Sequence, residues 1–434
     1  MNFSNEIKLE LKVPGFNIPD NVRLVNGNLT LDELEQKGTY GDYVLDRGMS
    51  IKNLEKTLKE LAGKDSYISF NLIKKSDKLL KDLEESEINF INIAGASCYQ
   101  SCVLQGFVHI IFPLAIKNLN KERIKIGKEP VKALDELKNY NEFNNTVIDV
   151  LKEIVYIYGC GHGGKSKNGT KGYMAKKLFE IAPPIIYGGG HEDDGNAVDM
   201  NDNTKNITHC SKDFNEAKNA MEGLFNNFGG KKISNPPRKS GIEYKFMTGE
   251  DLIKVIEINK KTIVSEVVKF KIEGQNKYHG NLVLKFSQEN LNDPNLDIYK
   301  LINDCPQIKQ NYYKKNRIVE TSDIIYIITD RLDFSPAIKK QFNIDDYIYL
   351  DNNGYFNRSI KKYCPYTIFE LKFIIFHRFY FEDFGHYIAF AKIKGKWYEF
   401  DDTSDDYAKN KEPPLINNKD KDYYPVYFYY VKNK

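Results

Sequence analysis

Paired metal-binding cysteines, blocks of like charge and long apolar runs are all lacking in this sequence. Its six cysteines include no C-x-x-C pair, so a structural zinc site has no support and no metal is expected. Apart from Cys98 and Cys102 they are scattered singly, which fits a reducing compartment better than a disulfide framework. Lysine and arginine number 63 against 60 acidic residues, a net charge of +3, and the two signs are interspersed. With no basic arm and no acidic tail, nucleic acid has no electrostatic footprint to bind. Met1 to Gly15 carries no apolar stretch of signal-peptide character. The run from Phe107 to Ile116, broken by His109 and Pro113, is too short to span a bilayer. These absences predict an intracellular protein, cytoplasmic or nuclear, with neither membrane nor nucleic acid as partner.

What is present is enough chain for a sizeable core. At 434 residues with 41% hydrophobic content, two or three core-sized units are expected. Residues 1–88 read as a separate accessory region. Ile7, Leu9, Leu11 and Val13 alternate as a strand does, Ser50 is placed to cap a helix striped by Ile51, Leu54, Leu58 and Leu61, and Gly63 stops it. Leu79, Leu80 and Leu83 mark a second helix. From Cys98 a long apolar helix begins, with Val103, Phe107, Ile110 and Ile111 on one face and an end or kink at Pro113. Helical periodicity returns through Val131, Leu134 and Leu137, and again from Val147 to Tyr158. After about residue 240 strand-like runs dominate, among them 263–270, 282–286 and 324–329. Helices first and a largely antiparallel sheet afterwards predict an α+β fold.

Two boxes carry chemistry. In Gly95-Ala96-Ser97-Cys98, small residues let the backbone turn into the helix, whose N-terminal dipole favours a thiolate and whose free N–H groups suit an oxyanion. A single cysteine reads equally as a small buried hydrophobe, and Cys102, one turn on, reads as that. The second box is a hairpin. Tyr387 to Lys394 alternates, Gly395 turns the chain, and Lys396 to Phe400 returns. Such a hairpin sets His386 within one or two residues of register from Asp401, within reach of an imidazole–carboxylate hydrogen bond. A solvated hairpin rim would carry the same two residues.

Together these stretches resemble the ubiquitin-specific proteases. Cys98-Tyr99 followed by Leu104-Gln105 is similar to their cysteine box. Gly385-His386-Tyr387-Ile388-Ala389, then Gly395 through Trp397-Tyr398-Glu399-Phe400-Asp401-Asp402, is similar to their histidine box. The segments 323–334 and 369–377 fall in the family's order between the two boxes. The resemblance spans 89–434 and implies a papain-like fold: a helical thumb at about 89–200, β fingers at about 201–320 and an antiparallel palm at about 321–434. It further implies thiol hydrolysis at the C-terminal glycine of ubiquitin, with Cys98 as nucleophile, His386 as general base, Asp401 as its orienting acid and Asp402 in support. Ubiquitin or its conjugates are the implied partners of a monomer that needs no cofactor.

The sequence departs from the family in three places. Ile93 stands where an oxyanion asparagine is expected, with Asn92 one residue further off. Cys305 is the lone cysteine in the region of the fingers, where many relatives hold zinc. The acidic box after the thumb is not recognisable, and Glu192, Asp193 and Asp194 are its candidate replacement for holding the ubiquitin tail. The run Gly159-Cys160-Gly161-His162-Gly163-Gly164-Lys165-Ser166 satisfies a phosphate-loop pattern. Helical periodicity before it, and Asn168, Gly169 and Gly172 after it, deny the loop its strand and its helix. A surface loop is the plainer reading. His162 by Cys160 and His209 by Cys210 lack further ligands at tetrahedral-site spacing.

Overall fold

In the computed structural model, the residues described are 5–13, 22–31, 33–34, 41–46, 56–86, 89, 98–140, 148–149, 151–152, 230–233, 255–258, 261–309, 316–330, 340–358, 365–381, 384–402, 408–414 and 423–433. The chain divides into two compact units, residues 1–88 with 119–174 and residues 89–118 with 175–434.

In the first unit the expected alternation of Ile7, Leu9 and Leu11 makes β1 (Glu6–Lys12), every second side chain buried. It pairs antiparallel with β2 (Val22–Asn26) and parallel with β4 (Tyr67–Lys74), which in turn pairs with β3 (Tyr43–Asp46). The strand order is β2-β1-β4-β3, and Leu31 and Leu34 are buried in one core cluster with Ile7, Leu9, Leu11, Phe70 and Leu72. The described helix α1 covers Leu58–Ala62 and is capped by Thr57; Ser50, Ile51 and Leu54 lie outside the described residues. Thr57 and Glu60 form a reciprocal capping box, which fixes the helix start there, and Gly63 leaves it at φ +63°. Helix α2 (Lys75–Glu84) buries Leu79 and Leu83.

In the second unit a small sheet runs in the order β10 (Ile318–Thr321), β7 (Phe270–Ile272), β8 (Tyr278–His279), β6 (Val255–Ile258), β5 (Gly230–Ile233). The larger sheet runs in the order β16 (Lys409–Asn410), β15 (Lys396–Phe400), β14 (Phe384–Ile393), β13 (Tyr366–Phe381), β17 (Tyr423–Lys432), β11 (Ile324–Asp330), β9 (Leu282–Lys285). Strand β12 (Tyr347–Asp351) pairs on β13. All its pairs are antiparallel except β9 with β11. The fold is α+β, as the element order predicts.

The large sheet is buried on both faces. Ile325, Ile327, Phe369, Phe376, Phe390 and Phe428 join the main core on one side. Tyr326, Phe373, Tyr427 and Tyr429, also fully buried, belong to the other side. There Phe373 and Tyr429 stack at 5.1 Å. Helix α3 (Cys98–Gly106) packs on this sheet, and Gly106 marks its close approach. A Cβ on Gly106 would lie 2.6 Å from the Tyr429 ring and 2.8 Å from the Phe373 ring.

Two expectations are corrected. Of the two expectations at Pro113, an end or a kink, the end is overturned: a π-helical turn, Phe107–Ile111, leads into α4 (Phe112–Lys125). In the wider turn the Phe112 N–H reaches back to the Phe107 carbonyl, which shifts the backbone that the proline ring would otherwise strike. The continuous helix 101–125 is therefore long and apolar enough to cross a membrane by length and composition, but 78% of its most apolar window is buried inside the fold. The second correction concerns 263–270, which reads as a strand. Ser265–Val268 is a helical turn, α5, and the strand is confined to Phe270–Ile272. Thr262 and Ser265 bond each other's backbone N–H through their hydroxyls at 2.9 and 2.8 Å, a local pairing that overrides the β preference of the neighbouring residues.

Candidate active site

The hairpin of β14 and β15 places the histidine and the acid. Its turn residues, Lys394 and Gly395, both take positive φ (51° and 78°), as a two-residue hairpin loop of matching twist requires. The ladder runs from Ile393↔Lys396 to Ala389↔Phe400. Continued by one pair, it sets Asp401 across from Ile388, two residues from His386 on the same side of the ladder. That diagonal is within reach of a polar pair. His386 Nε2 stands 2.8 Å from Asp401 Oδ1 and 3.7 Å from Asp402 Oδ1. Asp402 is the deeper of the two acids, its side chain 2% exposed against 21% for Asp401.

Cys98 is the first residue of α3 and is buried. Its thiol is among the side chains that act on the protonation of His386. The imidazole thus has a carboxylate on Nε2 and a thiol among its interacting neighbours. Burial works against its charge, but the hydrogen bonds to Asp401 and Cys98, with the nearby charge of Asp402, outweigh it and push the pKa up to about 10. Cys102, one turn further along α3, is the opposite case. Burial first, then the charges of Asp402, Cys98 and Asp401, push its thiol well above the usual range. It stays a neutral thiol beside the nucleophile candidate.

These groups can do acyl-transfer chemistry: a thiol at a helix N-terminus, an imidazole within hydrogen-bond reach, and a carboxylate fixing the imidazole from behind. Among the described residues, His386, Asp401 and Asp402 are also the one set of three ligand-type side chains whose donor atoms lie within 4.8 Å of one another. Cys305 is fully buried in the core, where burial pushes its thiol up to about 12. Asn92, Ile93 and Gly95 to Ser97 lie outside the described residues, as do Glu192, Asp193, Asp194, the loop 159–172 and the pair His209-Cys210.

One residue at the site has no signal in the sequence. Asn89 is buried, and its side-chain Nδ2 donates to the backbone carbonyl of Asp401 across 312 positions of sequence. Nothing in its local pattern sets it apart from the other asparagines of the chain.

No family model and no curated protein matches the chain. Among solved structures, it is similar to a chain of the Ubp8–Sgf11–Sgf73–Sus1 SAGA DUB module, at 14% identity over 81% of this chain and 69% of that one, with a TM-score of 0.42. The same kind of module bound to ubiquitin aldehyde matches at 16% identity over 81% and 71%, with a TM-score of 0.43. The Saccharomyces cerevisiae Pan2 pseudoubiquitin hydrolase–RNA exonuclease module matches at 10% identity over 81% of this chain and 56% of that one, with a TM-score of 0.44. These likenesses are to deubiquitinating and pseudo-hydrolase modules alike, and at such scores they carry no argument about the chemistry of the site.

Proposed function

We propose that the chain is a divergent ubiquitin-specific thiol hydrolase, cleaving the isopeptide or peptide bond at the C-terminal glycine of ubiquitin. The observation that carries this reading is the Cys98–His386–Asp401 constellation, formed by the two stretches of sequence that resemble the family's boxes. In the proposed cycle Cys98 Sγ attacks the glycine carbonyl while His386 holds the thiol proton. His386 then gives that proton to the departing amine, leaving a thioester on Cys98. A water, losing its proton to His386, hydrolyses the thioester and releases the ubiquitin carboxylate. Asp401 keeps the ring in the tautomer that serves both transfers, and Asp402 adds negative charge behind it. Backbone N–H groups at the start of α3, with Asn92 as a candidate side-chain donor, would hold the oxyanion. The thumb, palm and fingers division, and a tail-binding role for Glu192, Asp193 and Asp194, belong to this same reading.

A second reading, a ubiquitin-binding relative without turnover, is favoured by Ile93 at the oxyanion position. Loss of one such donor costs about 3 kcal/mol of transition-state stabilisation, which slows hydrolysis without abolishing it. Hydrolysis of a fluorogenic amide on the ubiquitin C-terminus separates the two. Turnover by the wild-type chain, lost in Cys98→Ala, supports the hydrolase. Saturable ubiquitin binding with no turnover supports the binding relative.

A further inference from the structure

We propose that His386, Asp401 and Asp402 form a binding site for a divalent cation of the zinc class, which, when filled, takes the imidazole away from Cys98. The binding stands on the geometry of the donors; its inhibitory consequence rests on the hydrolase reading above. The donor atoms of the three side chains all lie within 4.8 Å of one another. His386 Nε2 is 2.8 Å from Asp401 Oδ1 and 3.7 Å from Asp402 Oδ1. Ligand atoms at about 2.0–2.2 Å from a tetrahedral zinc ion stand about 3.3 Å from each other. The two spacings bracket that value, so each carboxylate has to move by only about 0.5 Å to meet a shared ion. One imidazole with two carboxylates is a donor set for zinc and its first-row neighbours, whereas magnesium and calcium take oxygen ligands.

Consecutive residues of an extended strand point to opposite faces. Asp401 and Asp402 follow Phe400, the last residue of β15, and both present an oxygen to the same ring nitrogen. A proton shuttle needs one orienting acid, so the second carboxylate exceeds what tautomer selection requires. Within the trio, two carboxylates face one imidazolium, whereas a divalent cation with a neutral imidazole balances both. Buried charges are paired or coordinate metals, and the side chains of Asp402 and His386 are 2% and 6% exposed. Burial opposes a charge on His386, yet Asp401, Cys98 and Asp402 hold its pKa up to about 10. The field that keeps a proton on the ring also draws a cation. That cation replaces the Nε2 proton, which leaves to solvent. A metallated Nε2 loses its hydrogen bond to Asp401, and the ring no longer accepts the proton of Cys98. Turnover then stops until the metal is removed.

The test titrates the chelator-stripped full chain with zinc(II) against a chromophoric chelator, and with cobalt(II) followed by absorption. The expected result is one equivalent bound beyond any that His386→Gln retains. Asp401→Asn and Asp402→Asn keep the shape of each acid and remove its charge. Each should weaken binding at least about tenfold, since losing a residue that merely supports a ligand already costs that much. Cys98→Ala should bind as the wild type does, and the cobalt spectrum should show visible bands without thiolate charge transfer. Thermal unfolding shows which variants are folded, and the more exposed Asp401→Asn carries the comparison if Asp402→Asn does not fold. Wild-type binding no stronger than that of folded His386→Gln overturns the proposal. Binding lost in Cys98→Ala, or a thiolate band, also overturns it by moving the metal to the sulfur. In an active chain zinc should stop turnover of a ubiquitin amide and chelator should restore it; binding that leaves turnover intact overturns the proposal too. Metal binding needs no ubiquitin, so the two readings fail separately. Metal bound at the trio of a chain that turns over no ubiquitin substrate supports the site and contradicts the hydrolase reading.

Discussion

His386 is the residue on which most of the site's physics converges. It is 5% exposed, a setting that ordinarily strips an imidazole of its proton. Its two hydrogen-bond partners and the Asp402 charge reverse that, and its pKa of about 10 lies above the ordinary 6.5. The sign of the linkage follows. Stability contributed by the imidazolium is fully present below about pH 6.5 and is lost as pH rises through about 10. Urea unfolding at a series of pH values should therefore show the widest gap between wild type and His386→Gln near pH 6. The gap should close as pH approaches 10, and one that widened over that range would contradict the account. At this scale the sequence was readable where the partners are local. His386 and Asp401 belong to one hairpin, and counting register was enough to pair them. Asn89 was unreadable because its partner lies 312 positions away, and a side-chain amide leaves no periodic trace.

At the scale of elements, the legible parts were those whose side chains announce their own geometry. Alternation gave β1 and the β14–β15 hairpin, and Gly395 marked the turn between its strands. The elements that depart from their sequence pattern depend on backbone events that no pattern encodes. Pro113 signals a helix end or a kink by the usual steric rule, and the π turn just before it lets the helix pass through. The run 263–270 has the composition of a strand, and a Thr262–Ser265 hydroxyl pair turns its first half into a helix. The seat of α3 on the sheet is a third feature of this kind, because it depends on an absent side chain. Gly106 lies so close to Phe373 and Tyr429 that a Cβ would fall within 3 Å of both rings. Gly106→Val should therefore destabilise the chain by about 2–3 kcal/mol through overpacking, measured as a lower urea midpoint at unchanged slope. A midpoint equal to wild type would mean that the helix can retreat from the sheet without loss.

Over the whole molecule, the α+β class followed from element order, and the boxes that bear chemistry stood out against a matrix of ordinary apolar periodicity. Strand order did not follow. The parallel pairing of β9 with β11, and of β1 with β4, joins segments far apart in sequence, and register along one strand cannot reveal its neighbour. The same long range governs the site. The nucleophile candidate and its base are 288 positions apart and meet only when β13, β14 and β17 have closed the sheet that α3 packs on. Hence the central claim is about assembly: three separated residues form one working thiol. The direct test is reaction of the folded wild-type chain with ubiquitin bearing a C-terminal electrophile, read as intact mass and mapped by peptide. The account predicts a single ubiquitin adduct on Cys98, absent in Cys98→Ala and strongly slowed in His386→Gln. No adduct on the wild type, or one that persists in Cys98→Ala, would contradict it.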